Sequence, residues 1–179
     1  MDDRMQQQVQ AAGQVLAKVQ SAFDDAVTVL ALLCADGNRL STVKLDAQQV
    51  ASFELAWASA ELLAARTGIE ALTPQSTRLE VQLALVFAVE AVVAVLDRLD
   101  VIYAEADLDG DRVDALRRDP AWTALRRSAG SADALQEVGK GVVEAQGLVG
   151  EIPLDEEHAL AQDSFRRFAE EVVVPQAES

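Results

Sequence analysis

Val9, Ala12, Leu16, Val19, Phe23, Ala26, Leu30 and Leu33 stand at alternating intervals of three and four along the start of the chain. That spacing returns each side chain to one stripe of an α-helix and to no single face of a strand. A helix of this length cannot bury its stripe alone. It needs neighbours crossing at a shallow angle, which commits the chain to a bundle. The spacing predicts a first helix over residues 3–35, stopped at Asp36-Gly37-Asn38 with Gly37 in the left-handed conformation.

The same periodicity predicts the other helices. Asp46 is the expected N-cap of a second, running to about Thr67 and closed by Gly68. Val50, Phe53, Trp57, Ala60 and Ala64 form its expected apolar face, with Glu54 and Glu61 on a more polar one. A third begins near Pro74-Gln75-Ser76 and runs to about Ala106. Over residues 83–96 it is apolar nearly all round, with Glu90 and Asp97 on a thin polar stripe, as suits the central helix of a bundle. Residues 111–128 read as a short helix interrupted at Asp119-Pro120. Ser131 caps a fifth helix that frays through Gly139, Gly141 and Gly147. Residues 150–153 form a connector, and Asp155 caps a final helix with the stripe Leu154, His158, Ala161, Phe165, Phe168 and Val172, ended by Pro175. No segment alternates as a strand does. The expected fold is all-α: an antiparallel bundle of about five helices in residues 1–150, and a C-terminal amphipathic helix in residues 151–179. A second copy could complete a larger bundle equally well.

Charge narrows the function. Residues 1–110 carry 16 acids and 7 bases, residues 111–150 six of each, and residues 151–179 eight acids and two bases. A net charge of −15 repels nucleic acid and anionic membrane and favours solubility. Residues 79–103 are strongly apolar but hold Glu80, Glu90, Asp97, Arg98 and Asp100, a charge density unsuited to a bilayer core. The opening Met-Asp-Asp-Arg does not read as a signal peptide. The lone Cys34 lies beside Leu30 and Leu33, as a buried structural thiol would. These features predict a cytoplasmic protein that neither binds nucleic acid nor inserts into a membrane.

Candidate chemistry falls away piece by piece. Glu105, Asp107, Asp109 and Gly110 match the start of a calcium loop, but its twelfth position is Leu116 and its eighth is Arg112. Glu54, Glu61, Glu90 and Asp97 lack the Glu-x-x-His pairs of di-iron bundles, so ion pairs with Arg66, Arg78 or Arg98 are their expected fate. His158, the only histidine, would have to serve any Ser-His-Asp or Cys-His arrangement, and no serine stands in a nucleophile elbow. Arg117, Arg118, Arg126 and Arg127 flank Trp122 and could hold an anion. Asp111, Asp114 and Asp119 in the same segment favour ion pairs with acidic helices instead. No catalytic, cofactor-binding or metal-ligating residue is assigned to the chain.

Residues 153–178 read Pro-Leu-Asp-Glu-Glu-His-Ala-Leu-Ala-Gln-Asp-Ser-Phe-Arg-Arg-Phe-Ala-Glu-Glu-Val-Val-Val-Pro-Gln-Ala-Glu. Leu154, the capping Asp155, the acidic pair Glu156-Glu157, Phe168-Ala169-Glu170-Glu171, the apolar Val172, Val173 and Val174, Pro175 and Ala177-Glu178 follow one another in a telling order. In that order the segment resembles the first helix of acyl-CoA dehydrogenases. The resemblance implies a parent protein that binds FAD, oxidises the α,β bond of acyl-CoA thioesters with a carboxylate base, and hands electrons to a flavoprotein partner. The flavin contacts and the base come after the first helix in that family, so no functional residue carries over. What carries over is packing, with Phe165, Phe168 and Val172 facing the rest of the enzyme's N-terminal domain. Residues 1–150 would then be an extension for docking or oligomerisation, and acyl-CoA would be bound only by the downstream domains. Two other readings stay open. One is a free-standing helical interaction module that pairs with a partner chain. The other is a small-molecule-binding bundle with a pocket lined by Trp57, Phe87 and Tyr103.

Overall fold

The computed structural model describes residues 1–147, 149 and 154–177. The chain divides into two compact units, Met1–Gly147 and Leu148–Ser179. The expected connector at residues 150–153 lies outside the described residues. As the periodicity predicts, the fold is all-α.

In the first unit α1 spans Asp3–Leu33, with the Asp2 side chain accepting from the Met5 amide at its start. Gly37, at a φ of +61°, turns the chain back. The turn closes a two-residue antiparallel ladder, β1 (Ala35–Asp36) with β2 (Arg39–Leu40), which no alternation in the sequence announces. A further departure follows at Asp46. It caps nothing, because it lies within a short helix α2 (Thr42–Ala47) whose cap is Ser41. The next helix, α3, starts at Gln49 and continues through Gly68 to Glu70. Helix α4 spans Arg78–Glu105 and opens with a capping box. Thr77 accepts from the Glu80 amide, and the Glu80 carboxylate, held below its usual pKa first by the Thr77 backbone N–H, accepts from Thr77 in return. Asp107 adopts a φ of +52°, and the Leu108 amide reaches back to the Tyr103 carbonyl at 2.8 Å. That is a Schellman stop made without glycine.

Three long helices form the frame. Leu30 of α1 clusters with Ala51 of α3, while Gln20 meets Arg66, so α1 and α3 run antiparallel. Tyr103 of α4 donates to the Ala22 carbonyl of α1 at 3.0 Å, while Met5 and Leu85 line one cleft nearer the other end. Helices α1 and α4 therefore run parallel, and α3 is antiparallel to both. Helix α4 touches α1, α3, α5, α6 and α7, which makes it the central helix that its nearly all-round apolarity predicts. Its Val81, Val92, Val95, Leu96, Leu99 and Ile102 are almost inaccessible to solvent. No charged side chain is buried among the described residues.

The remaining helices close one side. Helices α5 (Asp111–Arg117) and α6 (Pro120–Ala129) are separated at Asp119-Pro120 as expected. Asp119 accepts from the Ala121 and Trp122 amides and pairs with Lys18 of α1 at 2.5 Å, and the lysine is the first cause of its lowered pKa. Ser131 caps α7 (Ala132–Glu144), which does not fray at Gly139 or Gly141. It ends in a second Schellman turn at Gln146 and Gly147.

Two of these glycines should respond oppositely to alanine. Gly139 lies inside α7 on its exposed side, and an added methyl would meet nothing within 4 Å. Gly139→Ala should raise stability by about 0.5–1 kcal/mol, the intrinsic helix preference. At Gly130 the methyl would stand 2.8 Å from Cγ1 of Val89 and 3.0 Å from the Arg126 carbonyl oxygen. Backbone and a stiff β-branched side chain cannot yield cheaply, so Gly130→Ala should cost about 1–3 kcal/mol. Thermal midpoints of the two variants, moving in opposite directions, would check both.

In the second unit α8 spans Glu156–Phe168. Asp155 caps it, accepting from the His158 amide at 2.9 Å, which is the first cause of its lowered pKa. Pro175 does not end the helix. A π-turn at Ala169–Val173 leads into α9 (Val174–Ala177), which contains the proline. Proline lacks an amide hydrogen and crowds the carbonyl four residues back, and a widened turn is one way a helix absorbs both faults.

Candidate functional site

Most of the side chains that could carry chemistry are satisfied structurally. Cys34 is buried at the end of α1, packed with Leu30 and Ala51. Asp109 accepts from the Asp111 amide at 3.0 Å and so turns the chain into α5. His158 is largely exposed, with Nδ1 2.7 Å from the Asp155 carboxylate. Among the described residues, no three His, Cys, Asp or Glu side chains are grouped as metal ligands would be.

The acids of α3 take the partner expected of them. The Arg98 guanidinium of α4 pairs with Glu54 at 2.5 Å and with Glu61 at 3.1 Å, and these bonds, Glu61 first, hold its pKa above the usual value. The three side chains are each about a quarter exposed, so the pairs are better shielded from water than ordinary surface pairs. Arg117 also bonds two acids of α4, Asp97 at 2.9 Å and Asp100 at 2.5 Å, but in a more exposed setting. Arg118 instead pairs with Asp114 of its own helix. Arg126 and Arg127 line an open surface crevice with Arg117, Trp122 and Ser131.

Trp57, Phe87 and Tyr103 do not form a pocket. Phe87 and Tyr103 are sixteen residues apart on one helix, about 24 Å at the standard rise. Phe87 is 43% and Trp57 50% exposed, whereas Tyr103 is buried. Its hydroxyl pKa is raised, chiefly by that burial.

The larger correction concerns α3. Its buried residues are Ala51, Ala58, Leu62, Ala65 and Ile69. The stripe expected to face the core, Val50, Phe53, Trp57, Ala60 and Ala64, faces solvent. The exposed positions of α3 between Gln49 and Ala64 carry no charge at all. Phe53 and Trp57 meet edge to face with centroids 6.3 Å apart, and the Arg98 guanidinium lies 5.7 Å from the Trp57 ring centre. Arg98 thus does two things. It ties Glu54 and Glu61 to α4, and it steadies the indole on the surface.

No protein family and no curated protein matches the chain.

The signal that could have revealed the α3 face was present. Between Gln49 and Arg66 both sides of the helix are largely apolar, one bulky and one small, and Glu54 and Glu61 are the only charges among them. A helix apolar on two sides has two partners to satisfy.

Helix α4 is, by length and composition, apolar enough to cross a membrane. In this bundle that apolarity is matched by contacts with five neighbouring helices.

Proposed function

We propose that the chain is the N-terminal helical portion of a larger, cytoplasmic, FAD-dependent acyl-CoA dehydrogenase. Residues 1–147 serve as an accessory bundle for docking, and the final helix is the first helix of the enzyme proper. FAD and the acyl-CoA thioester are bound downstream, and this chain supplies no catalytic residue.

One observation carries the reading. The final helix is strongly two-faced, yet none of its described residues is buried. Phe165 is 76% and Phe168 57% exposed, on the stripe that the dehydrogenase resemblance assigns to packing against the enzyme's own N-terminal domain. That apolar stripe supports packing of the helix against a further part of a parent protein.

The coding sequence beyond Ser179 tests this first. A frame that continues into a flavin-binding β domain and a second helical region is the expected result. The purified protein should then hold flavin and reduce an electron acceptor when given acyl-CoA thioesters. Phe165→Asp with Phe168→Asp should strip that flavin by unseating the domain. A stop codon, or a continuation of another kind, would overturn the assignment.

The uncharged aromatic face of α3 favours a second reading, a free-standing helical interaction module. It predicts an intact partner-binding function in the chain by itself.

A further inference from the structure

We infer that the outer face of α3 is a self-association surface, which joins two copies of this chain through an antiparallel α3–α3 contact. Three features of the face identify a second copy as its occupant.

The first is shape. Large residues, Val50, Phe53 and Trp57, occupy its N-terminal half. In the C-terminal half Ala60 and Ala64 leave hollows beside Leu63. An antiparallel pairing about a two-fold axis between residues 57 and 60 sets the large half of one copy on the small half of the other. Trp57 then meets the partner's Ala60, and Phe53 meets the partner's Ala64. A parallel pairing would set bulk against bulk. A surface that complements itself in this way is what a two-fold dimer requires.

The second is charge. At −15 the chain would recruit an unlike partner most readily through oppositely charged side chains, and this face has none to offer. Two copies can meet across it without burying like charges, since Glu54 and Glu61 lie on its flank and are already held by Arg98.

The third is area. At 50–66% exposure, Val50, Phe53, Trp57 and Leu63 present about 500 Å² per copy. That gives on the order of 1,000 Å² in all, the lower bound for a specific interface. The dimer should be a moderate one, with Trp57 at its centre as the anchor, held in position by Arg98.

Sedimentation equilibrium of the 179-residue chain tests this. A monomer–dimer equilibrium in the micromolar range is expected. Because two acidic chains repel, added salt should tighten it, whereas capture of a basic partner would weaken with salt. Trp57→Asp and Ala60→Lys should each raise the dissociation constant about 30-fold or more. Both positions are solvent-exposed, so circular dichroism should show helix content unchanged, and either variant suffices if the other fails to fold. Mixing the two should restore dimers, because the carboxylate introduced in one chain would then face the ammonium introduced in the other. Phe165→Ser with Phe168→Ser, which blunts the final helix, should leave the dimer in place. A chain that stays monomeric at high salt would overturn the inference. So would a dimer indifferent to both variants, a mixture that fails to pair, or a dimer lost with Phe165 and Phe168. The α3 face would act in this way whether or not a dehydrogenase follows, so its failure leaves the flavin test untouched.

Discussion

Replacing Leu99 by alanine should cost the bundle about 3–5 kcal/mol, the range seen when a buried leucine leaves a cavity that its surroundings cannot fill. Leu99 is wholly inaccessible, on the central helix, among Val95, Leu96, Ile102 and Tyr103, which are equally enclosed. Relaxation is restricted because α4 is gripped on several sides at once. Shifting it toward the vacancy would disturb its packing on α1 and on α3 together. Domains of this kind are typically stable by about 5–15 kcal/mol, so a single truncation here should remove about a fifth of the total or more. The measurement is urea unfolding followed by helical circular dichroism, with Leu63→Ala as the comparison. Leu63 is 66% exposed on the outer face of α3, and its loss should change stability by about 0.5 kcal/mol or less in dilute, monomeric protein. Equal losses at the two positions would mean that α4 is not the centre of the bundle.

Some of this organisation is legible in the sequence, and the division between what is and what is not has a physical cause. Local chemistry reads well. The cap at Ser131, the break at Asp119-Pro120 and the cap at Asp155 each depend on a few adjacent residues, and each stands where the sequence places it. The all-α class and the central place of α4 follow from periodicity sustained over many turns. That Glu54 and Glu61 take an arginine is legible too, but the sequence leaves Arg66, Arg78 and Arg98 open, and the packing of α3 on α4 selects Arg98.

The face of α3 misleads because bulk is a poor guide to burial. Helices approach closely where side chains are small, and α3 packs on its neighbours through Ala51, Ala58 and Ala65 around Leu62. That leaves the larger stripe outside. Hydrophobic pattern alone ranks phenylalanine and tryptophan above alanine, and nothing within α3 says which neighbour lies on which side. The short helix α2 is hidden for another reason. Ser41 and Asp46 are both good capping residues, and only the tertiary position of the turn makes the earlier one the cap. The candidate site is the least legible part, because a docking face is defined by what does not cover it.

Trp122→Ala should be comparably severe, at about 3–5 kcal/mol, but its damage should be confined to one side of the molecule. Trp122 is 4% exposed and anchors α6, a helix of ten residues, against Val15 and Val19 of α1 and Val92 and Leu96 of α4. A helix that short has little stability of its own and persists by docking. Its other buried attachments are the smaller Leu125 and Ala129, and the partly exposed Lys18–Asp119 pair at the cap offsets only a small part of the lost indole. Helix α3 does not depend on this contact. It is held to α4 along its length by the alanine-lined face and by Arg98. Removing the indole should therefore release α6 and α7 as a unit before the three long helices part. Amide hydrogen exchange would show this directly. Protection in α6 and α7 should fall by a hundredfold or more, the equivalent of about 3 kcal/mol, while amides at the α3–α4 contact keep most of theirs. Uniform loss throughout residues 1–147 would mean instead that the small helices and the long ones fold as a single cooperative body, with Trp122 as much a part of the central core as Leu99.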